Sequence, residues 1–275
     1  MARFLVVAQW QGSSSSRAMQ LIDGATAIAG DLPRAACTTV DVPMEAGESL
    51  DTGVRRMSAL QQVARAQLEA LAGLDETVVT VGGDAGVATT SALAAVGAAR
   101  GEPDAGSVVV WFSSHAAMHD VSSAPDGAYA EMAARALVDD AAPRPSDIGI
   151  APDRLILAGV RVIASAEAEA IERLGVGIVT ADELTPDAIA AAIAERSASA
   201  VYIHVDLDVL DPAAISGVSD PEPFGPDAAT VIACIAAARG SAPYLGGAIT
   251  EFSPSSPAAA IDDLGVILRL VGALA

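Results

Sequence analysis

The strongest constraint on this chain is an alternation of two hydrophobic periods along its length. Short apolar runs rich in β-branched residues occupy residues 4–8, 77–81, 107–112, 155–160, 177–180, 200–205 and 247–250. Such runs, apolar throughout, fit strands covered on both faces, as in a parallel sheet. Between them apolar residues recur at helical spacing. Met57, Leu60, Ala64, Leu68 and Leu71 form one buried stripe that stops at Gly73. Ser165 is placed to cap a helix with Glu167 and Glu169 in its first turn, ending at Gly175. Thr185-Pro186, Gly225-Pro226 and Ser256-Pro257 each offer a proline for a first helical position, where its missing N–H costs nothing. Repeated β-then-α units predict a three-layer α/β/α architecture: one mostly parallel, doubly wound sheet with helices on both faces. No linker-like break or repeat divides residues 1–275, so a single domain is expected.

Composition supports a large buried core, with 52% hydrophobic against 18% charged residues. Every apolar stretch is interrupted before the ~18 residues of a membrane span. The run after Met1-Ala2-Arg3 is too short for a signal peptide and reads as a first buried strand. A soluble, cytoplasmic protein is expected. With 15 basic and 35 acidic residues the net charge is −20, which repels phosphate backbones and excludes a nucleic-acid binder. The same charge leaves open an attraction for small cations. Cys37 and Cys234 lie far apart among apolar residues and are expected to be small buried hydrophobes. Ser13 to Ser16 read as a mobile surface loop.

In sheets of this kind chemistry sits at the carboxyl ends of the strands. Four such ends are polar here: Gly82-Gly83-Asp84-Ala85, the stretch Ser113-Ser114-His115-Ala116-Ala117-Met118-His119-Asp120, the stretch Asp206-Leu207-Asp208-Val209-Leu210-Asp211-Pro212, and Glu251. Asp206 and Asp208 are two apart, so an extended chain projects both to one face. Adjacent carboxylates repel unless a cation or proton lies between them, which points to a hard-metal site or to turn capping. Asp211-Pro212 reads as turn chemistry. His204 lies deeper along the same strand, as a buried, hydrogen-bonded histidine or as support for the aspartates.

In this order these stretches resemble the ureohydrolase family of arginases, agmatinases and formiminoglutamases. That family carries GGDH, DAHxD and DxDxxDP motifs and a late glutamate. Gly217-Val218-Ser219-Asp220-Pro221-Glu222-Pro223 resembles its GTGTPEP loop, and Leu157-Ala158-Gly159-Val160-Arg161 its GxR strand end. The resemblance implies an arginase-like fold, two manganese ions held by six side chains, and Glu251 facing the substrate's guanidinium. It also implies homo-oligomers, or pairing with an intact homologue. Position by position, however, the GGDH histidine is Ala85 and the DAHxD aspartates are Ser113 and Ala117. A proton-shuttling histidine of relatives is Ala130 here. The residual set is His115, Asp206 and Asp208, enough for one manganese ion at most. His119 or Asp84 would be further ligands only if a loop moved.

Three functions follow as expectations. The first is a metal-free pseudoenzyme, acting as a partner subunit or binding a guanidinium or amine, with no cofactor. The second is a mononuclear metal-dependent hydrolase of a guanidino or amidino C–N bond. The third is a different chemistry using His119, Glu131 or Glu251 as acid or base. Against ligand binding stands closure of the site by Met118, Tyr129 or Arg135.

Overall fold

The computed structural model describes residues 2–74, 76–98, 101, 104–140, 142–144 and 149–275. Its strands are β1 (Arg3–Val7), β2 (Cys37–Thr39), β3 (Val78–Gly82), β4 (Ser107–Phe112), β5 (Leu155–Val160), β6 (Gly177–Thr180), β7 (Ala200–Asp206) and β8 (Tyr244–Thr250). They form one sheet in the order β2-β1-β3-β8-β7-β4-β5-β6, and every neighbouring pair is parallel. All seven expected strands are present. The additional one, β2, is a three-residue Cys-Thr-Thr segment at the sheet edge that pairs only with β1, so it carries no buried apolar run to betray it.

The helices are α1 (Gln20–Gly30), α2 (Met57–Ala72), α3 (Gly86–Ala95), α4 (Arg135–Val138), α5 (Ser165–Leu174), α6 (Pro186–Glu195), α7 (Ala228–Ser241) and α8 (Pro257–Leu274). They cover both faces, because side chains along each strand alternate between two cores. Val108, Val110 and Phe112 of β4, with Val201, Ile203 and Val205 of β7, pack against Ile28 of α1, Ile189 of α6, Ile235 of α7 and Ile267 of α8. The intervening Val109, Trp111 and Tyr202 pack against Ala88, Ala92 and Leu93 of α3 and Leu137 of α4. The expected three layers are therefore present.

Local capping follows the sequence in part. Thr185 and Ser256 cap α6 and α8, accepting from Ala188 N and Ala259 N, each at 3.1 Å, with proline at the next position. Two expectations are corrected. α7 is capped by Asp227, which accepts from Thr230 N at 2.8 Å, so Pro226 precedes the helix rather than opening it. α5 is entered through Ala164, whose N–H donates to Glu167 Oε2 at 2.9 Å, so the glutamate caps and Ser165 does not. Cys234 is buried as expected, whereas Cys37 on the edge strand is only half-buried.

Strand order positions the site. The four strands with polar ends, β3, β8, β7 and β4, are the adjacent central four of the sheet. Arg161, just beyond β5, binds the carbonyls of Asp208, Val209 and Glu222 at 2.8–3.1 Å and so ties the loop after β7 to the Pro-Glu-Pro loop. The loop after β1 is stitched to the Gly82-Gly83-Asp84 turn by Gly83 N to Val7 O (2.9 Å) and Asp84 N to Gln9 O (2.8 Å). A Cβ on Gly83 would stand 1.9 Å from Gln9 O. Gly83→Ala should therefore cost about 2–4 kcal/mol in denaturant unfolding. Gly240→Ala, where a Cβ meets nothing within 4 Å inside α7, should be neutral or stabilise by about 0.5–1 kcal/mol.

Candidate functional site

At the carboxyl ends of the central strands lies a cleft of about 330 Å³. Ala85, Ser113, His115, Ala117, Ala130, Asp206, Asp208 and Glu251 all line it. Seven of these positions converge because four parallel strands end side by side, while Ala130 comes from the 3-10 segment Tyr129–Met132, its N–H donating to Gly12 O at 2.9 Å. Met118, Tyr129 and Arg135 do not fill the cleft: all three are buried outside it, Arg135 in ion pairs with Asp120 and Asp139, each at 3.0 Å. The serine loop is not wholly on the surface, since Ser13 is buried and, with Ser14, borders the cleft.

Asp208 is the hub. β7 ends at Asp206 and the chain turns through a 3-10 segment, Leu207–Val209, in which Asp206 Oδ1 accepts from Asp208 N at 3.1 Å. A tight turn, rather than strand alternation, therefore brings both aspartates to the cleft. Asp208 Oδ1 accepts from Ser113 Oγ (3.0 Å) and Ser114 N (2.9 Å), while Oδ2 accepts from Ser114 Oγ (2.5 Å) and lies 2.7 Å from His115 Nδ1. A carboxylate has about four acceptor positions, and all are taken. Burial would raise the Asp208 pKa, but the hydrogen bond and charge of His115, with the Ser114 donors, outweigh it and hold Asp208 low. For His115, burial acts to lower the pKa. Its hydrogen bond to Asp208 and the charges of Asp208, Asp220 and Glu222 overcome this and raise it. His115 Nε2 is 3.4 Å from Asp220 Oδ2 and 3.8 Å from Glu222 Oε1.

The other two carboxyls behave in the opposite way. Asp206 is buried, and burial followed by the charges of Asp208 and Glu251 raises its pKa well above the usual range. Glu251 Oε1 accepts from Ala85 N at 2.9 Å. Burial, then the charge of Asp84, pushes its pKa to about 8. At the floor of the cleft the ionised Asp208 thus stands beside two acids that favour the proton.

The facing wall carries Glu131, His119 and Glu167. Burial, then the charge of Asp126, raises Glu131 to about 7, and its Oε2 has no partner. His119 Nδ1 lies 3.2 Å from Ser123 Oγ and its Nε2 lies 3.7 Å from Glu167 Oε2. Glu167 is already engaged by Met118 N and Ala164 N.

Two further sequence candidates stand outside the cleft. His204 Nε2 pairs with Thr250 Oγ1 at 2.7 Å beneath Trp111, and burial lowers its pKa to about 3, leaving a neutral core histidine. Asp84 turns toward the β1 loop, taking Gln9 Nε2, Gly12 N and Gly86 N at 2.8–2.9 Å, and does not line the cleft. Asp211 serves its turn, accepting from Ala213 N at 2.9 Å and Gly225 N at 3.1 Å. Sequence reasoning gave no role to Asp220 and Glu222, although both fall inside the Pro-Glu-Pro motif loop.

The paired manganese site implied by the resemblance does not fit this donor set. Ala85 and Ala117 offer no lone pair, Ser113 spends its hydroxyl on Asp208, and Asp208 has no open acceptor position. Among the described residues, the group with ligand atoms within 4.8 Å of one another is His115, Asp220 and Glu222. It differs from His115, Asp206 and Asp208 because Asp208 occupies the Nδ1 side of the ring and leaves Nε2 facing the loop.

A family model described as the arginase family matches residues 11–264. An arginase of Bacillus caldovelox is 28% identical over 200 residues, which are 66% of this chain and 65% of that protein. The alignment therefore spans just under two thirds of that relative's length. Among solved structures, Entamoeba histolytica arginase in complex with L-ornithine superposes with a TM-score of 0.84 at 18% identity, over 99% of this chain and 97% of that one. The native Bacillus caldovelox arginase gives 0.80 at 21% identity over 99% and 97% of the two chains. Proclavaminate amidino hydrolase of Streptomyces clavuligerus gives 0.71 at 19% identity over 99% and 91%. At such identities these superpositions establish an arginase-like fold.

The raised Glu251 pKa has a measurable consequence. The folded chain holds this proton more tightly than the unfolded chain. Stability therefore falls as pH rises from the ordinary glutamate range to about 8, then levels off. Glu251→Gln keeps an oxygen for Ala85 N–H and removes the titration. Its stability relative to the parent should climb from about zero near pH 4 to about 1–3 kcal/mol near pH 9 in denaturant titrations. A difference that stays constant with pH would contradict the raised pKa.

Proposed function

The chain belongs to the arginase family, and from that premise we propose that it is a non-hydrolytic member whose metal-free cleft binds a small guanidinium or amine. The observation that carries this reading is the saturation of Asp208 by Ser113, Ser114 and His115, at the place where the family resemblance implies metal ligands. Paired metals would supply a hydroxide nucleophile at neutral pH and polarise the scissile centre. Here the hydroxyl, amide and imidazole donors compensate Asp208 instead. Asp206 and Glu251 remain without a counter-charge. Such acids relieve their repulsion by holding protons or by capturing a cation, and the latter is the binding function proposed.

The expected affinity is modest. A few charge-assisted hydrogen bonds net of binding costs give about 4–6 kcal/mol, a Kd of millimolar to high micromolar order. Calorimetry with guanidinium, arginine and agmatine should show saturable binding that Glu251→Gln weakens about tenfold. Unchanged binding in that variant would remove Glu251 from the site. Absence of all binding would favour a partner-subunit role, in a homo-oligomer or beside an intact homologue.

A second reading is favoured by one observation. His115 Nε2, Asp220 and Glu222 form a three-ligand group, and Asp208 would hold the opposite ring nitrogen as an orienting carboxylate. A single metal at that place would leave coordination positions open for hydrolysis of a C–N bond. Metal analysis after growth in manganese separates the two readings: one equivalent lost in Glu222→Gln supports the mononuclear enzyme, and none supports the metal-free site.

Urea release from arginine or agmatine should stay at background with added manganese, and turnover abolished by a chelator would overturn the principal reading. Combining Ala85→His, Ser113→Asp and Ala117→Asp should raise manganese affinity before it restores any rate, measured by metal titration and urea assay.

A further inference from the structure

Six acids line the cleft: Glu131, Glu167, Asp206, Asp208, Asp220 and Glu251. Among the described residues no arginine lines it, and the chain has no lysine. Three of the six are already occupied. Asp208 is saturated by its own donors, Glu167 accepts from Met118 N and Ala164 N, and Asp220 stands 3.4 Å from His115 Nε2. Asp206 and Glu251 form the cation-binding floor. That leaves Glu131, which is only half-buried and whose side chain no hydrogen bond or ion pair engages among the described residues. Arg55, whose charge reaches it, is itself paired with Asp126 at 2.7 Å. The backbone at Glu131 is nevertheless fixed, since its carbonyl accepts from His119 N at 3.1 Å and the preceding N–H is bound to Gly12. The charges that act most on Glu131 are those of Asp126, Arg55 and Glu167, and on Glu251 those of Asp84 and Asp208. The two carboxyls are therefore separate stations.

We propose that Glu131 takes the second ammonium of an aliphatic α,ω-diamine whose first ammonium lies at Asp206 and Glu251, and that it selects such a diamine over a monoamine or an amino acid. The inference rests on the cation-binding reading of the cleft and adds a second station to it. Ala117, Pro125, Val162 and Ile163 line the same space and suit a chain of methylenes. An amino acid would bring a carboxylate to a wall that holds Glu131 and Glu167 and no arginine, where it is desolvated and repelled. His119, the histidine of that wall, already faces Glu167 at 3.7 Å and Ser123 at 3.2 Å. A second ammonium instead meets a positioned carboxyl with no other partner, and that contact is a charge-assisted hydrogen bond.

Calorimetry on the intact chain tests this with the diamines from 1,3-diaminopropane to 1,8-diaminooctane, each against the monoamine of the same length. The tightest diamine should exceed its monoamine by about tenfold. Its mono-N-acetyl form and its α-carboxylated counterpart (as lysine is to 1,5-diaminopentane) should lose that advantage. Glu131→Gln should bring the diamine down to the affinity of its monoamine, whereas Glu195→Gln, exposed at the far end of α6, should change nothing. The acetylated ligand decides the matter on the parent chain if Glu131→Gln does not fold. Monoamines that bind as tightly as every diamine would overturn this inference and leave the cation-binding floor standing, while absence of all binding would overturn both. A diamine advantage that survives Glu131→Gln, or falls equally in Glu195→Gln, would also overturn it, the latter by showing diffuse attraction to the acidic surface.

Discussion

The site depends on one buried anion. Asp208 sits under the surface at the end of β7, and an isolated carboxylate there would cost several kcal/mol in lost hydration. Its compensation comes from three consecutive residues beyond β4, Ser113, Ser114 and His115. These contacts also cross-link the ends of two central strands paired from Ser107–Ala200 to Phe112–Val205. The contact that neutralises the charge is therefore the contact that closes the floor of the cleft. A paired-metal site would use the same carboxylate differently, leaving its oxygens for ions. One aspartate cannot do both.

From this anion follows the charge state of its neighbours. Asp208 ionises because its donors favour the charged form, and its charge then raises Asp206 and adds to the raised pKa of Glu251. Carboxyls of the same kind are pushed apart by environment alone. The same pairing raises the pKa of His115 and directs its other nitrogen at Asp220 and Glu222. The cleft is consequently a mixed surface: a hydrogen-bonded Asp208–His115 pair at its floor, proton-holding acids beside it, and Glu131 with an unmet oxygen opposite. A ligand with positive charge and several N–H donors can satisfy those acids, whereas an anion meets them unfavourably.

Much of this was legible in the sequence, for physical reasons that differ by element. Strands buried on both faces announce themselves by unbroken apolar runs, so β4 and β7 were readable and the polar edge segment β2 was not. Helix entries were readable where proline follows a capping hydroxyl, as at Thr185 and Ser256. They were misread where an acid takes the role from one or more residues away, as Glu167 and Asp227 do. The cleft residues were legible because parallel strands deliver their carboxyl ends to one edge. Which way a side chain turns there was not. Asp84 belongs to the same motif as Ala85 but faces Gln9 and the backbone of Gly12 and Gly86, a choice made by a loop 72–75 residues away in sequence. Asp220 and Glu222 enter only because Arg161 gathers the carbonyls of two loops, which no local spacing encodes.

The backbone of the cleft is held in shape by its own hydrogen bonds. Ala117 and Glu251 adopt φ of +52° and +67°, a region that costs a residue with a Cβ roughly 1–2 kcal/mol. Both are held by hydrogen bonds: Glu251 N donates to Gly83 O at 2.8 Å, and Ala117 O accepts from Arg135 N at 3.1 Å. Ala85, at the entrance to α3, uses its own N–H to fasten Glu251. None of these bonds involves the side chain of Ala85 or Ala117, so alanine at both positions leaves the strand ends intact. Arg135 is itself anchored by Asp120 and Asp139, and Gly83 by the β1 loop. Strain at the cleft is thus supported by hydrogen bonds within the scaffold, around a shaped, acid-lined space.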